Sequence, residues 1–445
     1  IDMKNRFPKG LILFRLFVIG MAFTFTETLH AQGQVYTLQE LYDLADKNNK
    51  SIRVYNAAKA VADENAALAR SQRLPDIEAA LSFSYNGRGI LTDRNFSNLM
   101  NVYIPEYGNN FVLKVSQVIY AGGAITSTIK LGEMNKEMVE LDRQKNRQEV
   151  RFVITGQYLD IYKLLNTLEV LEQNIDLTER VLQNMKNRFK QGTALKNDIT
   201  RYELQLEMLR LQQTKVKDTY KVLNHQLCTH IGLDEGVFVR PDTAVLHTEL
   251  RVMDEVYWQQ LAVSDNIGLQ QAALAKQISE RNINLARSVS LPHLSLFAEN
   301  SLMGPITVEV PPINKNLNYW CVGIGIQYDL SALFKNNHDI RKAKQQFRKA
   351  GEEYELTKEH VNVGIQAAYT DFNTSFTELR TQEKSVELAT ENYRVVNNRY
   401  DDGVALITDM LDASNIKLSA ELKLVDARIN LIYNYYRLKY LTHSL

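Results

Sequence analysis

The residues best placed to do chemistry are aspartates that follow two glycines. In the stretch Arg399-Tyr400-Asp401-Asp402-Gly403, Asp409 and Asp412 come six and nine residues after the glycine; in Arg188-Phe189-Lys190-Gln191-Gly192, Asp198 again comes six after. Carboxylates gathered at a narrow opening attract cations and repel anions. The same residues would also favour the positive end of a helix starting near Ala405, as solvated side chains with no further role. Both readings are open at this point. No catalytic arrangement accompanies them. His225 and His230 are five apart, which does not align them on one helical face for a metal, and neither a His-Glu-x-x-His motif nor a paired-cysteine motif occurs. Glu359-His360 reads as a solvated helix face, and Tyr433, Tyr435, Tyr436 and Tyr440 as packing at the end of a helix. An enzyme is not expected, nor a cofactor or a metal.

The two glycine stretches are copies. Asn187 and Asn398 are 211 residues apart in a chain of 445, and the offset carries Gly192 onto Gly403 and Asp198 onto Asp409. The breakers repeat as well: Leu74-Pro75 and Leu291-Pro292 are 217 apart, as are Asn49 and Asn266. Such self-similarity marks a duplicated unit. Proline is missing from Glu106 to Arg240 and from Ile313 to Leu445, where an interior proline would cost a helix ~3 kcal/mol. These segments carry the strongest helical period. Ile154, Tyr158, Ile161, Leu165, Leu168, Ile175, Leu182 and Phe189 keep heptad spacing; Leu418, Leu422, Val425, Ile429, Ile432 and Tyr436 do so after Leu411. The helix after Gly192 has two stripes, Leu204/Met208/Leu211 and Leu209/Val216/Tyr220/Leu223/Leu227, which suits a neighbour on each side. Helices are therefore expected from Gly123 to Gln191, Lys196 to Ile231, Phe334 to Asp402 and Ile407 to Leu441, the first ~100 Å long at 1.5 Å per residue. Shorter helices run from Leu38, capped by Thr37 with Glu40 three residues on, and from Ser51 to Arg73.

After each Leu-Pro the period changes to two. Ile77, Ala79, Leu81, Phe83 and Tyr85 alternate with polar or small residues; Phe111, Leu113 and Val115 alternate with Asn110, Lys114 and Ser116; Leu294, Leu296 and Ala298 alternate more weakly with Ser295, Phe297 and Glu299; and the clearest case is Trp320, Val322, Ile324, Ile326 and Tyr328. Nine or ten residues is the length a tilted strand needs to cross a bilayer, and Tyr85, Trp320 and Tyr328 could form an interfacial belt. Two soluble hairpins with one face on a core would show the same alternation. Long loops, Asn86 to Asn109 and Asn300 to Asn318, separate the strands of each pair. If the strands span, four cannot close a barrel, and open edges in lipid leave backbone groups unpaired at several kcal/mol each. Several chains would then have to share one barrel.

Lys plus Arg and Asp plus Glu are both 52, so no field favours nucleic acid. Lys4, Arg6 and Lys9 precede an apolar run from Leu11 to Phe25 and a small-residue site, Leu29-His30-Ala31, the layout of a secretory signal peptide over residues 1–31. A membrane anchor or a buried helix is the competing reading. The rest, 32–445, is expected to be one duplicated domain: a first repeat over about 32–232, a connector over about 233–253 and a second repeat over about 254–445. Cys228 and Cys321, 93 residues apart, give weak grounds for a disulfide.

Strand pairs followed by ~100 Å helical hairpins, duplicated after a signal peptide, resemble the outer-membrane efflux protein (TolC) family. The residues that carry the resemblance are Leu74-Pro75, Leu291-Pro292, Arg188-Phe189 to Gly192, Arg399-Tyr400 to Gly403 and Ile407-Thr408-Asp409-Met410-Leu411-Asp412-Ala413. It implies a mainly α chain contributing four strands to a twelve-stranded transmembrane β-barrel of a homotrimer, continued by a periplasmic α-helical barrel. It also implies a passive outer-membrane exit duct, embedded in outer-membrane lipid, that docks a periplasmic adaptor (membrane fusion) protein and an inner-membrane RND or ABC transporter, for drug efflux or type I secretion. By position, Tyr400 is similar to the family's gate tyrosine, Asp198 to its partner and Asp412 to a constricting aspartate ring, with Asp409 beside it. Arg188, Gly192, Arg399 and Gly403 belong to the adaptor-docking tips, and Phe83, Tyr85, Phe111, Trp320 and Tyr328 to the membrane strands. The family's well-studied member has an arginine where this chain has Ala405, so one tip restraint is missing or replaced. A soluble periplasmic coiled-coil scaffold without a pore is the reading from another class.

Overall fold

In the computed structural model, residues 34–234, 236–244, 250, 252–309 and 311–445 are described; the expected signal peptide lies outside them, as does part of the connector. In chain order the elements are β1 (Gln34–Tyr36), α1 (Leu38–Asn48), α2 (Lys50–Ser71), β2 (Asp76–Tyr85), β3 (Gly89–Leu91), β4 (Met100–Val102), β5 (Tyr107–Ala121), α3 (Ala124–Lys190) and α4 (Lys196–Ile231). The second half follows as β6 (Val239–Pro241), α5 (Glu255–Asp265), α6 (Ile267–Ser288), β7 (His293–Gly304), β8 (Leu317–Gln327), α7 (Ala332–Asp401) and α8 (Ile407–Leu441). The second half repeats the helix–helix–strand–strand–long helix–helix order of the first.

Local chemistry sets the breaks. Thr37 and Glu40 form the expected capping box at α1. Asn49 and Asn266, the residues sharing one offset in the sequence, are extended in backbone and cap α2 and α6 with their side chains. Each thus turns a short helix into a longer one at the same point of the two repeats.

The long helices are rods of matched length. α3 packs against α2 along its first part and α4 along the rest, and α7 packs in the same way against α6 and α8. With 67 residues in α3 and 70 in α7, each rod is about 100 Å long. The broadest core lies where α1, α3, α4, β6 and α8 meet, around Leu41, Ile154, Tyr158, Ile161, Leu227, Ile231 and Ile432. β1 lies parallel to β6 there and so brings the connector after α4 against the strand before α1. A pattern of three residues is too short to reveal that pairing. A second core gathers Trp258, Ile365, Phe372, Leu431 and Tyr435. Of the heptad series, Ile154, Tyr158, Ile161 and Leu182 are buried, while Phe189 is exposed at the tip. On α4 the stripe with Leu209 and Leu227 is buried, and the stripe with Leu204, Met208 and Leu211 is exposed.

The strands form one antiparallel sheet in the order β2-β5-β7-β8. Both hairpins were expected; their joining through β5 and β7 was not visible in the sequence. Two lengths depart from expectation. β5 has 15 residues, with a bulge between Val118 and Tyr120. β7 runs on to Gly304, through part of the segment expected as a loop. As a central strand, β7 pairs its backbone on both sides, so the polar Asn300 and Ser301 stay in the ladder. Tyr328 lies one residue beyond β8.

Candidate functional site: the helix tips and the open sheet

Each helical hairpin turns on the same backbone device. Gly192 and Gly403 have φ of 73° and 75°, the left-handed conformation that glycine adopts without strain. Nothing lies within 4 Å of where a Cβ would stand at either, so backbone conformation, and not space, selects glycine. The amides of Thr193 and Val404 donate to the carbonyls of Arg188 and Arg399 at 2.9 and 2.8 Å, satisfying the open ends of α3 and α7. On the far side of each turn, the Leu195 amide donates to Asp198 Oδ2 at 3.4 Å, and the Leu406 amide donates to Asp409 Oδ2 at 3.1 Å. Asp198 and Asp409 are thus equivalent residues that start α4 and α8, as carboxylates in a first turn do. Asp412 is exposed one turn further along α8, and Arg399 is exposed on the last turn of α7.

The two tips are tied together by Arg188. Its guanidinium carbon lies 5.2 Å from the centre of the Tyr400 ring, and its Nη1 lies 3.6 Å from an Asp401 carboxylate oxygen. The Arg188 side chain is 23% exposed, less than half the exposure of Asp401. Tyr400 packs with Leu182, Met185, Tyr202, Ile407 and Met410, from both hairpins. Burial pushes its hydroxyl up; Arg188 opposes this, and the charges of Asp198 and Asp401 add to it. The sequence placed Arg188 among the tip residues but gave no sign of its reach to the other hairpin, since only the packing of α3 beside α8 brings 188 to 400. Asp401 and the buried Tyr202, whose hydroxyl has no hydrogen-bond partner, were not singled out either. One layer up, Lys417 lies over the Tyr393 ring and pairs with Glu421, which accepts a hydrogen bond from Asn174 at 3.0 Å.

At the opposite end the sheet is open on both sides. β2 and β8 each pair with one neighbour only, and every residue of β2 is exposed. The register aligns one face into largely apolar rows: Ile77, Val115, Ala298 and Val322 in one, Leu81, Phe111 and Leu302 in another that ends at Asn318, whose Oδ1 accepts from Asn300 at 3.1 Å. Phe83 is 76% exposed and Trp320 75% exposed on that face. Tyr85 and Tyr107 meet edge to face, ring centres 5.8 Å apart, at the end of β2 and β5. No described helix is long and apolar enough to cross a membrane, and no group of residues that could hold a metal occurs among the described residues. Cys228 is buried and Cys321 exposed, and neither is in a disulfide.

Residues 41–233 and 258–442 match the family described as outer membrane efflux protein. The chain belongs to the outer membrane efflux protein family. No curated protein matches this efflux protein by sequence. Its fold is that of solved outer-membrane channels. VceC from Vibrio cholerae is 14% identical, with 91% of this chain and 95% of that chain covered and a TM-score of 0.77. CusC is 14% identical, with 91% of both chains covered and a TM-score of 0.78. The Campylobacter jejuni CmeC outer membrane channel is 15% identical, with 91% of this chain and 85% of that chain covered and a TM-score of 0.73. The chain is therefore an outer membrane efflux protein and not the soluble scaffold of the competing reading, and its helical rods and sheet share the fold of these structures.

Proposed function

We propose that three copies of this chain close into one pore, gated at the helix tips, and that the pore is the passive exit of a tripartite pump. The observation that carries this reading is the open sheet. β2 and β8 leave unpaired backbone edges beside an apolar face, which lipid penalises by several kcal/mol per unpaired group. Pairing β2 of one copy with β8 of the next removes every edge, and three copies make a closed twelve-stranded barrel. The exposed Leu204, Met208 and Leu211 stripe then meets the helices of the adjacent copy. Phe83, Tyr85, Phe111 and Trp320 face lipid, with Tyr328 at the boundary.

The far end of the rods, around Gly192 and Gly403, is the docking end for a periplasmic adaptor protein, and an inner-membrane RND or ABC transporter supplies the driving force. In this reading Arg188, Tyr400 and Asp401 hold the tips together, taking the place of a cation at Ala405. Asp198 and Asp409 shape the turns, and Asp412 supplies negative charge at the opening. Purified protein in a planar bilayer tests the pore: trimers with stepwise conductance are expected, and trimers without conductance refute it. Multivalent cations should block the wild type from the tip side, and Asp412→Ala should weaken that block; unchanged block removes Asp412 from the role.

A further inference from the structure

All four formal charges of the membrane sheet lie on the face opposite the apolar rows: Asp76 and Glu78 on β2, Lys114 on β5 and Glu299 on β7. Three of them are in register. Glu78 is opposite Lys114, Lys114 opposite Glu299, and Glu299 opposite Cys321 on β8, so one row crosses the sheet from edge to edge. Strand alternation turns this row away from the lipid face. The next row toward the helices is Asp76, Ser116, Phe297 and Gly323. The Phe297 ring rests on Gly323, where a Cβ would stand 2.6 Å from its Cζ. The bare glycine lets the aromatic lie against the wall beside the charged row instead of standing into the lumen.

We propose that this row is a charge filter inside the barrel, separate from the tip, that favours cationic over anionic solutes. The proposal rests on the pore reading above. With three copies, six carboxylates and three ammonium groups line one band of the lumen, which climbs several ångströms along the axis because the strands are tilted, and Asp76 adds further negative charge one row away. Lumenal charge tunes the selectivity of such pores.

Cys321 provides a probe in the row itself, because it is exposed while Cys228 is buried, and burial also raises the Cys228 thiol. The reagents are a trimethylammonium and a sulfonate derivative of ethyl methanethiosulfonate, applied to the trimer in bilayers. The Cys321 thiolate attacks the thiosulfonate sulfur, a disulfide forms, and methanesulfinate leaves with the electron pair. The ratio of the two rates reports the local potential, because changes in thiol acidity affect both reagents alike. A unit charge about 5 Å away, screened at physiological ionic strength, changes this ratio about fourfold. The cationic reagent should react faster in the wild type, Glu299→Gln should lower the ratio about fourfold, and Lys114→Gln, two strands from Cys321 at about 10 Å, should raise it by the smaller factor of about 1.5. Glu299→Gln should also reduce the cation preference read from the reversal potential in a salt gradient. A conducting trimer whose Cys321 is labelled at a ratio that neither variant moves overturns the filter and leaves the duct intact. A conducting trimer whose Cys321 reacts with neither reagent also overturns the filter, since the row would not face the lumen. A trimer without conductance refutes the duct, and the filter with it.

Discussion

Replacing Arg188 with alanine removes the contacts that its side chain makes across the tips, a long hydrogen bond to the Asp401 carbonyl at 3.5 Å among them, and the sizes of the two main ones can be set from the geometry. The pair with Asp401 has an N–O distance of 3.6 Å and a partner 49% exposed, which places it among ion pairs worth about 0.2–1 kcal/mol. The stacking on Tyr400 at 5.2 Å, on a half-buried ring, contributes about 0.5–2 kcal/mol. Together they stabilise each joined tip by about 0.7–3 kcal/mol, a factor of about 3–160 in the ratio of joined to parted tips. If three tips part in concert, the contributions multiply. The assay is single-channel recording of the trimer, comparing open probability in the wild type, Arg188→Ala and Arg188→Lys. The alanine variant should open far more often. The lysine variant should fall between, since it keeps a charge near Asp401 but loses the planar group that stacks on the ring. An alanine variant that assembles into normal trimers with wild-type open probability would refute the reasoning, and Arg188 would then be a tip residue with no hold on the gate.

Gly403→Ala keeps space but opposes a φ of 75°, so the second turn should lose about 1–2 kcal/mol, seen as faster amide exchange around 400–407 with the barrel unaffected. Val322→Arg puts a charge on the apolar face of an edge strand, at a cost of about 2–4 kcal/mol near the bilayer midplane; the expected result is a lower yield of heat-stable trimer, and an unchanged yield would show that this face does not meet lipid. Glu140, held by hydrogen bonds from Arg143 and then Lys59, has its carboxyl lowered from 4.5 to about 2. A lowered folded value means that its contribution is complete above pH 4.5 and is lost as pH falls toward 2. Amide exchange where α2 meets α3 should accelerate over that window in the wild type and less so in Glu140→Gln.

The elements and their order were legible because they rest on local chemistry. Helical period and the lack of proline define α3, α4, α7 and α8; Asn49 and Asn266 cap at the predicted breaks; the glycines need a left-handed backbone that few other residues adopt. The duplication is a property of spacing alone, and the Asp198 and Asp409 equivalence follows from it. The length of β7 was not legible, because a central strand is held by two backbone ladders that do not depend on the polarity of Asn300 or Ser301. Nor was the pairing of β1 with β6.

The tip shows the division most clearly. From sequence, the aspartates looked like the functional charges, and their shared offset was real. The three-dimensional structure shows two of them bonded to the backbone of their own turns. It brings Arg188 onto Tyr400 and Asp401, more than 200 residues away in the chain. Likewise the four charges on the strands looked scattered until register aligned Glu78, Lys114 and Glu299 across the sheet. Periodicity and backbone conformation are set within a few residues, so the sequence alone determined the rods, the turns and the alternation of the strands. Which side chains meet depends on how ~100 Å rods pack and on how strands align, and only the tertiary structure decided that.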